Sequence, residues 1–313
     1  MKATTISAAP EPAVVAAALG PWYAAHGRHK LPWRLTRDPY AVLVSEVMLQ
    51  QTQVERVIHY YGAWLARWPT IHALAAADVA DVIRAWSGLG YNRRAIYLHR
   101  LSRAVCEQHA GQVPSDPDAL RRLPGIGPYT AAAVASFAFG ERVAVVDTNV
   151  GRVITRLVGG KASHREVAPE WVATVAAALL PGSGTRAHNL ALMDIGATIC
   201  LARAPECPSC PLQHACAWRA AGYPASAASP PPPAERFEQS ARFARGRIVE
   251  ALRGRAAETE DGIAAILPVR HAGRIGDYLA ALERDGLIQA RGAGIWALAG
   301  GNQGSSNMAS PKL

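Results

Sequence analysis

Four of the five cysteines, Cys200, Cys207, Cys210 and Cys216, stand in the pattern C-x6-C-x2-C-x5-C, and no other feature of the 313-residue chain restricts its folding so tightly. A zinc ribbon pairs two C-x2-C knuckles across a longer gap, which this pattern does not do. Four thiolates on one short loop instead suit a [4Fe–4S] cluster, with Pro208 and Pro211 keeping the loop out of helix. Zinc or free thiols are the competing readings. The expected part of such a group is structural: it closes a loop without a core of its own and can present Arg203 and Arg219 to phosphate. Cys106 stands alone in a helical stretch and reads as a small buried hydrophobe.

At roughly 100–200 residues per domain the length allows about two domains. Half of the residues are hydrophobic and 18% are charged, the balance of a globular chain. No apolar run approaches the roughly 18 residues of a membrane span. The Ala13 to Leu19 run follows two prolines and lacks a convincing cleavage site, so the expected location is cytoplasmic, beside the nucleoid. Lysine and arginine total 33 against 24 acidic residues, and only Lys2, Lys30, Lys161 and Lys312 are lysines. A surface rich in arginine can fork onto phosphates and bases, which favours a polyanionic partner. A compositional bias toward arginine is the plainer reading.

The text divides the chain. Residues 1–20 read as an N-terminal extension. Residues 21–220 are helical in pattern, with short Gly, Pro and Asp punctuation between apolar runs. From 221 to 241 the composition turns to Ala, Ser and Pro, a linker stiffened by Pro230 to Pro233. In 242–299, Arg245 to Leu252, Asp261 to Leu267 and Arg274 to Glu283 predict three helices, and Leu287 to Leu298 predicts a hairpin turning at Gly292 to Gly294. That order resembles a winged helix; a generic interaction domain is the alternative. Residues 300–313 are expected to be disordered.

Two segments carry chemistry. Asp118 to Leu123, then Pro124-Gly125-Ile126-Gly127, then Pro128 to Phe139 with Gly140 as its stop, read as a helix, a glycine hairpin and a second helix. Gly125 and Gly127 let backbone approach a ligand, and the N–H groups opening the second helix can hold a phosphate oxygen. Val143 to Val146 then run extended into Asp147, which precedes an apolar helix and is placed to cap it. Glu46 lies in a helix that is apolar nearly all round, so poor solvation should raise its pKa toward neutrality. One carboxylic acid and one carboxylate are what cleavage of a glycosidic bond through an oxocarbenium-like transition state requires. An exposed surface glutamate and an ordinary N-cap are the plainer readings of the two.

Leu31-Pro32-Trp33-Arg34, Ser45 to Thr52 (SEVMLQQT), Gly88-Leu89-Gly90-Tyr91, Leu123 to Thr130, Val146-Asp147-Thr148-Asn149 and the cysteine cluster, in order over about residues 20–220, resemble the MutY-type adenine DNA glycosylases of the endonuclease III superfamily. The resemblance implies a mainly α, two-subdomain helix-hairpin-helix glycosylase fold with an iron–sulfur loop, here with a small winged-helix-like α+β domain added. It implies a monomer acting on double-stranded DNA with a mispaired base, and no membrane partner. Glu46 would protonate the purine N7 and Asp147 would stabilise the sugar cation. Tyr129 and Asn149 would order that pair. Gln51 and Tyr91 would wedge into the helix where the base leaves, with Gly125, Gly127 and Arg34 also at the DNA. In the bifunctional relatives a Schiff-base lysine matches Tyr129, and no lysine occurs between Lys30 and Lys161, so the expected enzyme is monofunctional.

Two departures qualify the resemblance. The larger Nudix-like domain that recognises 8-oxoguanine in typical members has no counterpart in the last 80 residues. At Leu190 many adenine-specific members carry Gln or Glu, and leucine cannot hydrogen-bond a base edge. A mismatch thymine or uracil glycosylase is therefore the alternative enzyme, and an iron–sulfur DNA-binding regulator the alternative without catalysis.

Overall fold

The computed structural model describes residues 9–229 and 235–300; the Pro230 to Pro233 run, the first eight residues and most of the tail lie outside them. The helices are α1 (Pro12–His26), α2 (Pro39–Leu49), α3 (Val54–Arg67), α4 (Ile71–Ala75), α5 (Val79–Ala85), α6 (Arg93–Gln108), α7 (Pro117–Arg121), α8 (Pro128–Val134), α9 (Thr148–Leu157), α10 (Pro169–Ala178), α11 (Thr185–Thr198), α12 (Ala217–Ala220), α13 (Ala241–Arg253), α14 (Glu260–Ala265) and α15 (Ile275–Arg284). Strands β1 (Glu258–Thr259), β2 (Ile288–Gly292) and β3 (Ile295–Leu298) complete the described elements. The mainly helical fold with a small C-terminal sheet matches the expectation from sequence. None of the described helices is long and apolar enough to cross a membrane.

Local chemistry explains most boundaries. Proline opens α1, α7, α8 and α10, where its missing N–H has no intrahelical partner to lose. Thr70, Asp78, Asp116, Asp147, Ser240 and Thr259 each accept a backbone N–H of the first turn they precede. The helix expected from Pro128 to Phe139 changes winding at Ala135: the last five residues form a π turn, ended by Gly140 at φ 79°.

The chain splits into two compact units. The first comprises residues 1–46, 114–122 and 126–232. Its centre is α9, buried along its length from Val150 to Leu157 and packed on α10, α11 and α12. Helix α1, with Val15, Leu19 and Tyr23 buried, packs on α11, and it opens at Pro12, inside the stretch 1–20 expected to be an extension.

The second unit comprises residues 47–113, 123–125 and 233–313. Its C-terminal portion has the order helix, strand, helix, helix, hairpin, with an antiparallel sheet in the order β1-β3-β2. Ile288 pairs with Leu298 and Glu258 with Trp296, and the ladder is interrupted between Ala290 and Gly292. The elements expected from sequence are present, but they do not bury a private core. Ala244, Ile248, Val249 and Leu252 of α13 share one apolar cluster with Ala80 and Ile83 of α5 and Ile96 of α6. Domains of this size are marginal because they bury a small fraction of their surface, and α5 and α6 add to the core here.

Candidate active site

Asp147 ends an extended segment held by one amide. Asn189, buried on α11, accepts from Val145 N (3.2 Å) and donates to Val143 O (2.9 Å) and Ser136 Oγ (2.9 Å). At the start of α9, Asp147 Oδ1 accepts Val150 N at 2.7 Å and Oδ2 accepts Asn149 Nδ2 at 3.1 Å. Each carboxylate oxygen thus has a donor, and its orientation is set by the helix that it caps. Asn149 is oriented in turn: Arg152 Nη2 donates to its Oδ1 at 3.0 Å, and the same guanidinium donates to Gly196 O (2.6 Å) and Cys200 O (2.7 Å).

Glu46 is 4% exposed on α2, and its Oε2 is buried without a hydrogen-bond partner. Burial pushes its pKa up to about 7; a hydrogen bond from the Tyr129 hydroxyl opposes the rise, the charge of Asp147 adds to it and Arg34 opposes it. Burial and then Glu46 and Asp147 raise the Tyr129 hydroxyl well above its ordinary value, so it stays protonated as a donor. The structure therefore assembles Glu46, Tyr129, Asp147 and Asn149 in the first unit: a carboxyl poised near neutrality coupled electrostatically to a fixed carboxylate. Its bulky helix neighbours Val44 and Val47 are buried, which is the all-round apolar pattern of α2 expressed as desolvation.

Arg34 is not on the surface. Its side chain is 5% exposed and grips Asp194 through both nitrogens, at 2.5 and 2.8 Å. Arg28 adds its backbone N at 2.9 Å and its Nε at 2.5 Å to the same carboxylate. Burial would raise Asp194, but the Arg34 hydrogen bonds and charge, with Arg28, hold it below the usual carboxylate range. The fork of this guanidinium is thus engaged by a buried carboxylate within the protein, a structural partner beside the contact with DNA expected from the resemblance. This pairing was invisible in the sequence because Arg34 and Asp194 are 160 residues apart.

Two further residues that sequence reasoning missed shape this site. Arg152 stands three residues after Asn149 on the same helix, a spacing that could have pointed to it. Gly196 lies where a Cβ would come within 2.8 Å of Asn149 Cβ and 3.0 Å of its backbone, and a glycine inside the apolar stretch of α11 was the available signal. Leu190, on α11, is 4% exposed. Near it His188 is buried with neither ring nitrogen partnered, and burial pushes its pKa down to about 4.

Gly127 belongs to the first unit, whereas Gly125, Gln51 and Tyr91 belong to the second. Gly125 has φ 78°, and a Cβ there would meet Tyr97 Cβ at 2.7 Å, so only glycine fits. Gln51 and Tyr91 are exposed and adopt left-handed backbone, φ 56° and 46°. Arg94, buried behind them, donates to Val47 O, Met48 O and Gln50 O, the orphan carbonyls that end α2, and to Leu89 O and Gly90 O. Burial pushes Arg94 down to about 10.

Cys200, Cys207, Cys210 and Cys216 line one cavity with Arg156 and Trp218. Burial pushes Cys210 up to about 11 and also raises Cys216, and the neighbouring sulfurs add to both rises. Arg156 braces the loop, donating to Leu201 O (2.7 Å), Ala202 O (3.1 Å) and Cys200 Sγ (3.3 Å) beneath the Trp218 ring. Among the described residues no three His, Cys, Asp or Glu side chains converge on the position of a single metal ion.

Comparison with known proteins agrees with this geometry. The profile of the HhH-GPD superfamily of base excision DNA repair proteins matches residues 44–172. An adenine DNA glycosylase of Mycolicibacterium smegmatis is 42% identical over 280 residues, covering 89% of this chain and 94% of the relative. A thermostable thymine-DNA glycosylase superposes with a TM-score of 0.62 at 31% identity, covering 67% of this chain and 97% of that one. An endonuclease III in a non-covalent DNA complex superposes with a TM-score of 0.57 at 25% identity, covering 68% and 99%. Identity to the adenine enzyme is higher and extends over more of the chain than identity to the thymine enzyme. With a buried acid and a capped carboxylate in a helix-hairpin-helix framework and relatives matched over nearly their whole length, the chain belongs to the adenine DNA glycosylase family of the HhH-GPD superfamily.

Proposed function

We propose that this protein removes adenine mispaired with 8-oxoguanine or guanine from double-stranded DNA, acting as a monomer and leaving an intact abasic strand. The observation that carries the proposal is Glu46: a buried carboxyl near neutral pKa with one oxygen unpaired, electrostatically coupled to a carboxylate that two donors hold in place.

The glycosidic bond is unreachable within the stack, so the adenosine must leave the duplex, and Tyr91 and Gln51 are the exposed residues assigned to fill the gap. Protonated Glu46 then gives its proton to N7. The bond from C1′ to the base breaks with its electron pair going to adenine, and the cationic sugar is stabilised by Asp147. Water adds to C1′ and loses a proton, giving the abasic site. Tyr129 donates to Glu46 and keeps its orientation, and Asn149 does the same for Asp147. Lys30 and Lys161 are the described lysines and neither is next to Tyr129 in sequence, which supports hydrolysis without Schiff-base strand cleavage.

The four cysteines suit a [4Fe–4S] cluster. Their donor set is sulfur alone, and all four line one cavity, the ligand chemistry of an iron–sulfur group. When bound, such a group supplies cross-links that hold the Cys200 to Cys216 loop, and Arg156 would face it from the protein side.

The test is single-turnover incubation with duplexes carrying A opposite 8-oxoguanine, A opposite G, T opposite G and U opposite G, scoring abasic sites after alkali. Fastest release of adenine opposite 8-oxoguanine is expected. Release of thymine or uracil instead would make buried Leu190 the deciding residue and overturn the substrate. Strand cleavage without alkali that survives Lys30→Ala would overturn the monofunctional reading.

A further inference from the structure

The glycine-rich loop that carries Tyr91 is held from two sides, both in the second unit. From the glycosylase portion, Trp86 Nε1 donates to Gly90 O at 3.0 Å and Arg94 donates to Leu89 O and Gly90 O at 3.0 and 3.1 Å. From the C-terminal portion, α13 reaches the loop at three points. Glu250 accepts the Ser87 hydroxyl at 3.3 Å, Arg253 donates to Asn92 Oδ1 at 2.8 Å and to Ile83 O at 3.1 Å, and Arg242 Nη1 donates to the Tyr91 hydroxyl. The Arg242 guanidinium also lies 4.9 Å from the centres of both the Tyr91 and the Phe237 rings.

These contacts act where the loop most needs support. Gly88, Gly90 and Tyr91 all have left-handed φ, at 84°, 69° and 46°, and a tyrosine in that region persists only when its surroundings hold it. Arg242 binds the ring at both its face and its hydroxyl, which restricts the aromatic side chain without covering it: Tyr91 remains 38% exposed. A continuous apolar cluster joins α13 to α5 and α6, so the arm shares a core with the helices that flank this loop. The arm is not peculiar to this chain, because a match of 280 residues to the Mycolicibacterium smegmatis enzyme cannot fit within 313 without reaching α15.

We infer that α13 is a clamp on the Tyr91 loop, and that Arg242 is a positioning residue that presets Tyr91 for insertion when adenine leaves the stack. The inference rests on the reading of Tyr91 as the wedge. It gives the C-terminal segment a part in base extrusion that requires no recognition of the opposite base.

The experiment is a double-mutant cycle on the full chain with Y91A, R242A, R242K and Y91A/R242A, read as single-turnover release of adenine opposite 8-oxoguanine. Arg242 is exposed, so melting temperatures should stay near that of the parent protein. Y91A is expected to slow release about tenfold, R242A about threefold to fivefold and R242K less, and the double variant should be no slower than Y91A alone. With E46Q added to stop chemistry, 2-aminopurine beside the target adenine should brighten less on binding R242A than on binding the protein with Arg242 intact. Losses of Y91A and R242A that multiply would mean that Arg242 acts independently, for instance on phosphate, and would overturn the clamp. R242A at the parent rate while Y91A is slow would also sink the clamp alone. Y91A at the parent rate would remove the wedge reading, and the clamp with it.

Discussion

The carboxylate site and the Tyr91 loop solve opposite problems. Around the site Glu46 is buried, Asp147 is held by two donors, and one oxygen of Glu46 is left unpaired. Around Tyr91 the backbone is twisted into unfavourable φ and the ring is left open to solvent. Proton transfer gains from a dry, preorganised setting, because desolvation moves a carboxyl to the pKa at which it can both hold and release a proton. Inserting a ring into DNA requires an exposed group, which has to be stiffened by neighbours rather than by burial.

Substitutions should separate the two regions. The largest effect is expected for Glu46→Gln, which keeps shape but has no proton to give: single-turnover release should fall about 10³-fold with mismatch affinity nearly unchanged. A loss shared equally between affinity and rate would place Glu46 in binding and break the contrast. Asp147→Asn should cost about 10²–10³-fold, again in rate, since it removes the charge facing the sugar cation and exchanges an acceptor for a donor.

Titration sharpens the same contrast. With Glu46 near pKa 7, release should fall as pH rises above about 7, approaching tenfold per unit, and the fall should vanish in Glu46→Gln. In Tyr91 and Arg242 variants the profile should keep its midpoint, because neither residue is among the groups that shift Glu46. Gly196→Ala should destabilise by about 1–3 kcal/mol in urea melts and slow release, since the added methyl meets Asn149.

The smallest effect is a gain. The folded pKa of Glu46 lies above its ordinary value of 4.5, so folding is most favoured below that value and loses stability as pH rises through about 7. Glu46→Gln should therefore be more stable than the parent protein at pH 8, by about 1–3 kcal/mol, with the difference shrinking toward pH 5. An equal difference at both pH values would mean that burial does not control this carboxyl.

Local chemistry made much of this visible in advance. The capping position of Asp147, the glycine hairpin, the all-apolar face around Glu46 and the three C-terminal helices follow from spacing over a few residues. What stayed hidden was long-range. Arg34 reads as a surface arginine until Asp194 comes to lie beneath it. Arg152 reads as one more polar helix residue until Asn149, Gly196 and Cys200 converge on it. The C-terminal segment reads as separate beyond a proline-rich stretch, and its apolar face proves to be completed by α5 and α6.

By itself, then, the amino-acid sequence determined the helical framework, the hairpin, the residue types of the acid and carboxylate pair, and the grouping of four sulfurs, because each depends on neighbours within one or two turns of chain. Only the tertiary structure decided which charges would be buried together, how far Glu46 would be desolvated, and that α13 would grip the Tyr91 loop. Burial and electrostatic coupling are properties of what surrounds a group in space, and residues far apart in the chain provide those surroundings.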